Sequence, residues 1–137
     1  MGHDNSVNIE VIDFVLDEKR IKRHSFEQES QIDTHFNFDL LSQPKDSPEI
    51  NAVFRVNLSI EYIKEKDDGE EKKILAEAFV ILQFATFITN ISSVNLKEPS
   101  EEQVAIARSI FYPIARSLIS NELNLIQRDY SDIPYSI

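Results

Sequence analysis

From Ala52 to Ile63 the chain alternates: Ala52, Phe54, Val56, Leu58, Ile60 and Tyr62 share one parity, and Arg55, Asn57, Ser59 and Glu61 hold the other. Period-two alternation belongs to a strand with one face in the core and one in water, which commits the chain to a half-wet sheet. A polar run, Lys64 to Glu71, follows. Its Asp68-Gly69 pair suits a two-residue hairpin turn, where both central positions take positive φ. The next extended segment, Lys73 to Thr89, is therefore expected to pair antiparallel with the first. Phe79, Ile81, Phe84 and Phe87 mix there with Val80 and Leu82, so apolar side chains occupy both parities of its second half and both faces need cover.

Near the start, Val7, Ile9 and Val11 lie on one parity and Ile12, Phe14 and Leu16 on the other. A phase change of one residue predicts a β-bulge near Val11-Ile12. A polar connection, His24 to Thr34, leads to a short alternating segment, Phe36, Phe38 and Leu40. After Thr89 the chain turns through Asn90 to Ser93, and Ser100-Glu101-Glu102-Gln103 forms a capping box with two acids at the positive helix end. The helix that begins there is expected to run to about Asn124 with Pro113 inside it. An interior proline removes a donor and clashes with the preceding turn, at about 3 kcal/mol, so it marks a kink or a junction between two helices. The expected fold is α+β: a four-stranded antiparallel sheet with a long crossover connection after strand one, then a C-terminal Pro-kinked helix or helix pair packed on one face. All 137 residues fit one domain, with no repeat or linker dividing them.

Several classes of function are disfavoured. A net charge of -10 opposes sequence-independent nucleic-acid binding, which depends on neutralising phosphates. The basic run Lys19 to His24 reads as a solvated strand end that discourages edge pairing, with a docking patch for an acidic partner as the alternative. Met1 to Phe14 lacks the basic start and continuous apolar core of a signal peptide, and no stretch approaches the roughly 20 apolar residues of a membrane span. A cytoplasmic protein with no membrane insertion is expected. There are no cysteines, and His3, His24 and His35 have no second ligand at metal-like spacing, so neither a metal nor a cofactor is expected. No phosphate loop, nucleophile elbow or Ser/His/Asp order appears, which argues against an enzyme. Capping and solvation account for Glu101-Glu102 and Glu70-Glu71. Arg116, singled out as the one charge in the middle of the apolar helix, needs acceptors and reads as an ion-pair or carbonyl clamp, with client binding second.

Tyr112-Pro113-Ile114-Ala115-Arg116 resembles the aromatic-Pro-x-Ala-Arg helix motif of the SecB family of molecular chaperones. Ile119-Ser120 and Ser25-Phe26-Glu27 are similar to family segments, Leu75 and Glu77 fit its Leu-x-Glu strand, and Ala85-Thr86-Phe87 lies where the family has Gly-Ile-Phe. The order of elements matches along nearly the whole chain. The departures are a shorter connection after Phe26 without the family's aromatic residues, glycines only at positions 2 and 69, and no basic tail after Ile137 of the kind exporting members use to reach the translocase motor.

The resemblance implies an ATP-independent holdase that binds unfolded or aggregation-prone chains. Its client groove would map to Phe36, Phe38, Leu40 and Leu41 opposite Ile114, Leu118 and Leu123. Periodicity alone equally allows Phe38, Ile114 and Leu118 to be core. Leu75 and Glu77 correspond to the positions offered to the translocase motor, and Glu77 alternatively is a plain exposed strand residue. The resemblance implies a homotetramer, or a dimer, consistent with a sheet that one helix cannot cover. The alternatives are a dedicated chaperone of one partner, such as an antitoxin in a toxin-antitoxin module, and a small-molecule-binding α+β domain, which a closed pocket would support.

Overall fold

The computed structural model describes residues 7–27, 31–65, 72–126, 128 and 133–135. Four strands, β1 (Asn8–Arg23), β2 (Gln31–Ser42), β3 (Ala52–Glu65) and β4 (Lys72–Thr89), form one antiparallel sheet in the order β1-β4-β3-β2. A 3₁₀ turn (Ile91–Ser93), helix α1 (Glu101–Ser120) and a second 3₁₀ turn (Leu123–Ile126) follow. The Asp68-Gly69 turn lies outside the described residues, but β3 and β4 pair as the hairpin reading requires, with Phe54 opposite Phe84 and Leu58 opposite Val80.

The alternation of β3 becomes the inside and outside of the sheet. Ala52, Phe54, Val56, Leu58, Ile60 and Tyr62 are buried, as are Ala78, Val80, Leu82, Phe84 and Ile88 on β4. Asn51 continues the ladder with its side chain: its Nδ2 donates to the Ile88 carbonyl at 2.9 Å, and its Oδ1 accepts from the Ile88 amide at 2.8 Å. Buried Thr86 donates its hydroxyl to the Ala52 carbonyl at 2.8 Å, so no polar group is stranded at that end. The β1–β4 register slips between Val11 and Asp13, where the phase change predicts a bulge, and again between Leu16 and Glu18.

Two expectations need correction. The connection after β1 does cross from one edge of the sheet to the other, but it is short, residues 24–30. The polar residues before Phe36 belong to β2, because β3 offers them a ladder: Gln31 pairs with Ile63 and Ile32 with Tyr62. A favourable edge here overrides weak strand propensity. The helix is single, runs unbroken through Pro113, and ends at Ser120. Its capping box is formed, with Gln103 N–H donating to Ser100 Oγ at 3.2 Å and Ser100 N–H to Gln103 Oε1 at 3.1 Å. Near its end, Ser117 donates its hydroxyl to the Ile114 carbonyl and Ser120 to that of Ser117, bonds that compete with the helical ladder.

Buried Ala107, Phe111, Tyr112, Ala115 and Ile119 form the stripe by which α1 packs on the sheet. Phe111 stacks on Phe84 with centroids 5.1 Å apart and meets Phe38 edge-on at 5.4 Å. Pro113 sits on the exposed side of α1. It deprives only the Ser109 carbonyl of a helical partner, and Ser109 is itself exposed, so water can serve that carbonyl.

The crossing connection is held at the hairpin end of the sheet. Glu27 lies 3.2 Å from Lys73 Nζ and 3.3 Å from Lys64 Nζ, its carbonyl accepts from Arg128, and the His24 and Ser25 amides both donate to the Leu75 carbonyl. Lys73, then Lys64, hold the Glu27 carboxyl below its ordinary value of 4.5.

Pro113→Ala restores a donor at an exposed helical position and is expected to raise the unfolding free energy by up to about 3 kcal/mol in urea titrations. A loss of stability would show that the proline ring is required by packing. Because the Glu27 value is lower in the folded than in the unfolded state, its contribution is complete above 4.5 and is lost as the pH falls through the folded value. Glu27→Gln is therefore expected to melt below the parent at neutral pH, with the two curves converging on acidification below 4.5. A difference that persisted in acid would contradict this.

Candidate functional site

Between the sheet and the first half of α1 lies an open apolar cavity of about 570 Å³. Its floor is Phe54 on β3 and Ile88 on β4, both nearly fully buried. Alternation on β2 turns Phe36, Phe38 and Leu40 towards the helix, and these half-buried residues form one wall. The other wall is Val104, Ala107 and Arg108 of α1. The segment leading into the helix closes the end with Val94, Leu96 and Pro99. That segment is shaped by the Asn95 side chain, whose Oδ1 accepts from the amides of Lys97 at 3.1 Å and Glu98 at 3.2 Å.

Residues 36 to 40 all border the cavity, although alternate side chains leave opposite faces of a strand. The wall therefore includes the main chain of β2 itself. Because β2 is an outer strand, its far-side backbone groups pair with no strand of the described sheet. The aromatic side chains are fixed by one another: Phe36 meets Tyr112 edge-on at 5.4 Å, and Phe38 meets Phe54 at 6.2 Å. A preorganised apolar trough beside an open strand edge can take a polypeptide in extended form, with main-chain bonds to the edge and side chains in the trough.

The residues named from sequence divide between the site and the core. Phe36, Phe38 and Leu40 line the cavity. Leu41, at the β2 register shift, is exposed and not part of the lining. Ile114 and Leu118 pack against the core cluster from further along the helix, and Leu123 has no exposed surface, so none of the three forms the opposing wall. The helix turns that face β2 at this end are the earlier ones. Val94, Leu96, Val104 and Arg108 were missed; the signal for them was the apolar residues in the loop before the capping box and an i, i+3 pair, Val104 and Ala107, on the helix.

Leu75 is fully buried, whereas Glu77 is half-buried with His24 Nε2 3.5 Å away. The helix motif forms a clamp. Arg116 donates from Nε and Nη2 to the Ile133 carbonyl at 3.3 and 3.1 Å and lies 4.3 Å from the Tyr135 ring centre, while the Tyr112 hydroxyl donates to the Pro134 carbonyl. Burial raises the Tyr112 pKa from its ordinary 10.0, against the opposing pull of Arg116. Ala115, fully buried, lets the helix approach the sheet closely.

Among the described residues no cluster of His, Cys, Asp or Glu could hold a metal ion, and no helix is long and apolar enough to cross a membrane. A solved structure with this architecture is that of a SecB-like chaperone of Mycobacterium tuberculosis, in complex with a ChAD peptide from the HigA1 antitoxin. The TM-score is 0.52 at 12% sequence identity, over 94% of this chain and 88% of that one. The fold is SecB-like. A protein of unknown function from Streptococcus agalactiae is similar at 11% identity over 90% of this chain and 95% of that one, with a TM-score of 0.37. Neither a protein-family model nor a curated protein sequence matches the chain.

Proposed function

We propose that this protein is an ATP-independent holdase that seats an extended, non-native polypeptide segment in the trough between β2 and α1. The observation that carries this reading is the open apolar cavity bordered by the main chain of an outer strand. Neither catalysis nor a cofactor is part of the proposal. An apolar trough of this kind is suited to hydrophobic segments of many sequences, and the backbone edge adds bonds that do not depend on side chains.

A narrower reading is supported by the SecB-like neighbour, which was solved holding an antitoxin peptide. Here the trough would serve one dedicated partner, such as the antitoxin of a toxin-antitoxin module. An export role would use Glu77 as the docking residue for a translocase motor, with buried Leu75 shaping the strand beneath it. A small-molecule carrier is less well supported, since the cavity is open along β2 instead of closed.

Assembly belongs to the same proposal. Ile12, Phe14, Val15 and Leu16 of edge strand β1 are all exposed, and Phe79, Ile81 and Phe87 are only half-buried on the face away from the helix. A homotetramer, or a dimer, would cover these residues, and the proposed site of action is the cytoplasm.

Calorimetry against a permanently unfolded protein and its folded form is expected to show micromolar or tighter binding, roughly 8 kcal/mol, to the unfolded form alone. Val104→Phe, which fills the trough from the helix side, is expected to weaken that binding at unchanged thermal stability. No binding to the unfolded form would remove the general holdase and leave the dedicated one. Light scattering of the same sample is expected to give the mass of four chains, or of two; the mass of one chain would overturn the assembly.

A further inference from the structure

We propose that Arg108 anchors an acidic side chain, aspartate or glutamate, carried by the extended polypeptide segment in the trough; this rests on the trough being the client site. Arg108 lines the cavity, and its Nε is buried without a hydrogen-bond partner. No hydrogen bond or ion pair of its side chain occurs among the described residues. Its helical neighbours at i−4, i−3, i+3 and i+4 are Val104, Ala105, Phe111 and Tyr112, none of which carries a negative charge. Asp39 is the one acidic residue on the cavity lining, across the trough on β2, and it forms no ion pair with Arg108.

A guanidinium stays charged at any pH the fold survives, and its donors cost free energy when buried without acceptors. Arg116, two turns later on the same helix, shows the satisfied case, with Nε and Nη2 both donating to the Ile133 carbonyl. At Arg108 no acceptor is supplied among the described residues, in a cavity lined mainly by apolar side chains. Lys97 adds a second cation to the lining, so two positive charges face one negative one there, in a protein whose overall charge is -10. Charge complementarity thus selects a carboxylate, and the open strand edge selects a polypeptide as its carrier. The long-range field of the acidic surface is screened beyond roughly 8–10 Å at physiological salt, so the local pair fixes the register of the bound segment.

The test uses two fluorescein-labelled synthetic nonapeptides with leucine or phenylalanine at alternate positions, identical except for aspartate or asparagine at the centre. The full chain is expected to bind the aspartate peptide about tenfold more tightly, the scale of a charged hydrogen bond. Arg108→Gln is expected to abolish the preference, so that the aspartate and asparagine peptides bind the variant with equal affinity. Arg108→Met is expected to keep or raise the melting temperature, whereas an arginine with a merely structural role would lower it on removal. Equal binding of the two peptides by the parent, or a preference that survives Arg108→Gln, would overturn the acidic anchor while leaving the trough as client site. Binding of neither peptide would remove both readings. Saturable binding of decanoate with no binding of either peptide would overturn the polypeptide in favour of a small carboxylate.

Discussion

Phe111 stacks on Phe84 at 5.1 Å, meets Phe38 edge-on at 5.4 Å and tilts against Phe54 at 5.3 Å, so one helical residue touches three strands of a four-stranded sheet. A single helix of twenty residues has to bury one face of that sheet, and it does so from this point. Aromatic rings suit the task because each buries a large area and prefers the offset and edge-on contacts seen here. With Ala107, Ala115 and Ile119 seated on either side of Phe111, the helix axis is fixed, and with it which sheet residues are covered. The trough lies beside that contact, and edge strand β1 keeps Phe14 and Leu16 exposed.

The strands with strict alternation were legible because burial on one face leaves a period-two record. The hairpin partners β3 and β4, the bulge at Val11 and the capping box of α1 could all be read from residues. The extent of β2 could not, since Gln31 to His35 are strand through pairing with β3 and carry little pattern of their own. Neither could the end of the helix, where serine hydroxyls compete with the ladder for carbonyls. For the site, one wall was visible in Phe36, Phe38 and Leu40. The facing wall was not, because sequence spacing does not say which turn of a helix comes to rest against which strand. The expected Ile114 and Leu118 lie about two to four turns beyond Val104 and Ala107.

The two arginines of α1 lie two turns apart. Arg116 is tied to the closing segment through Ile133 and the Tyr135 ring, so its charge is spent on holding residues 133–135 to the helix. From sequence Arg116 is the charge that stands out, and nothing in the spacing marks Arg108. Placement reverses their interest. A cation with its acceptors supplied is part of the scaffold, whereas one that borders an apolar trough without them is the feature on which the proposed acidic anchor rests.

The strand order β1-β4-β3-β2 also bears on how the chain is made. β1 does not pair with its neighbour in sequence: β2 pairs with β3, which follows it, whereas β1 waits for β4, the last strand made. During synthesis from the N-terminus, Ile12, Phe14 and Leu16 have no sheet to join until Lys72–Thr89 has left the ribosome. For that interval the nascent protein is itself an unfolded chain with an exposed apolar strand, the state in which polypeptides aggregate.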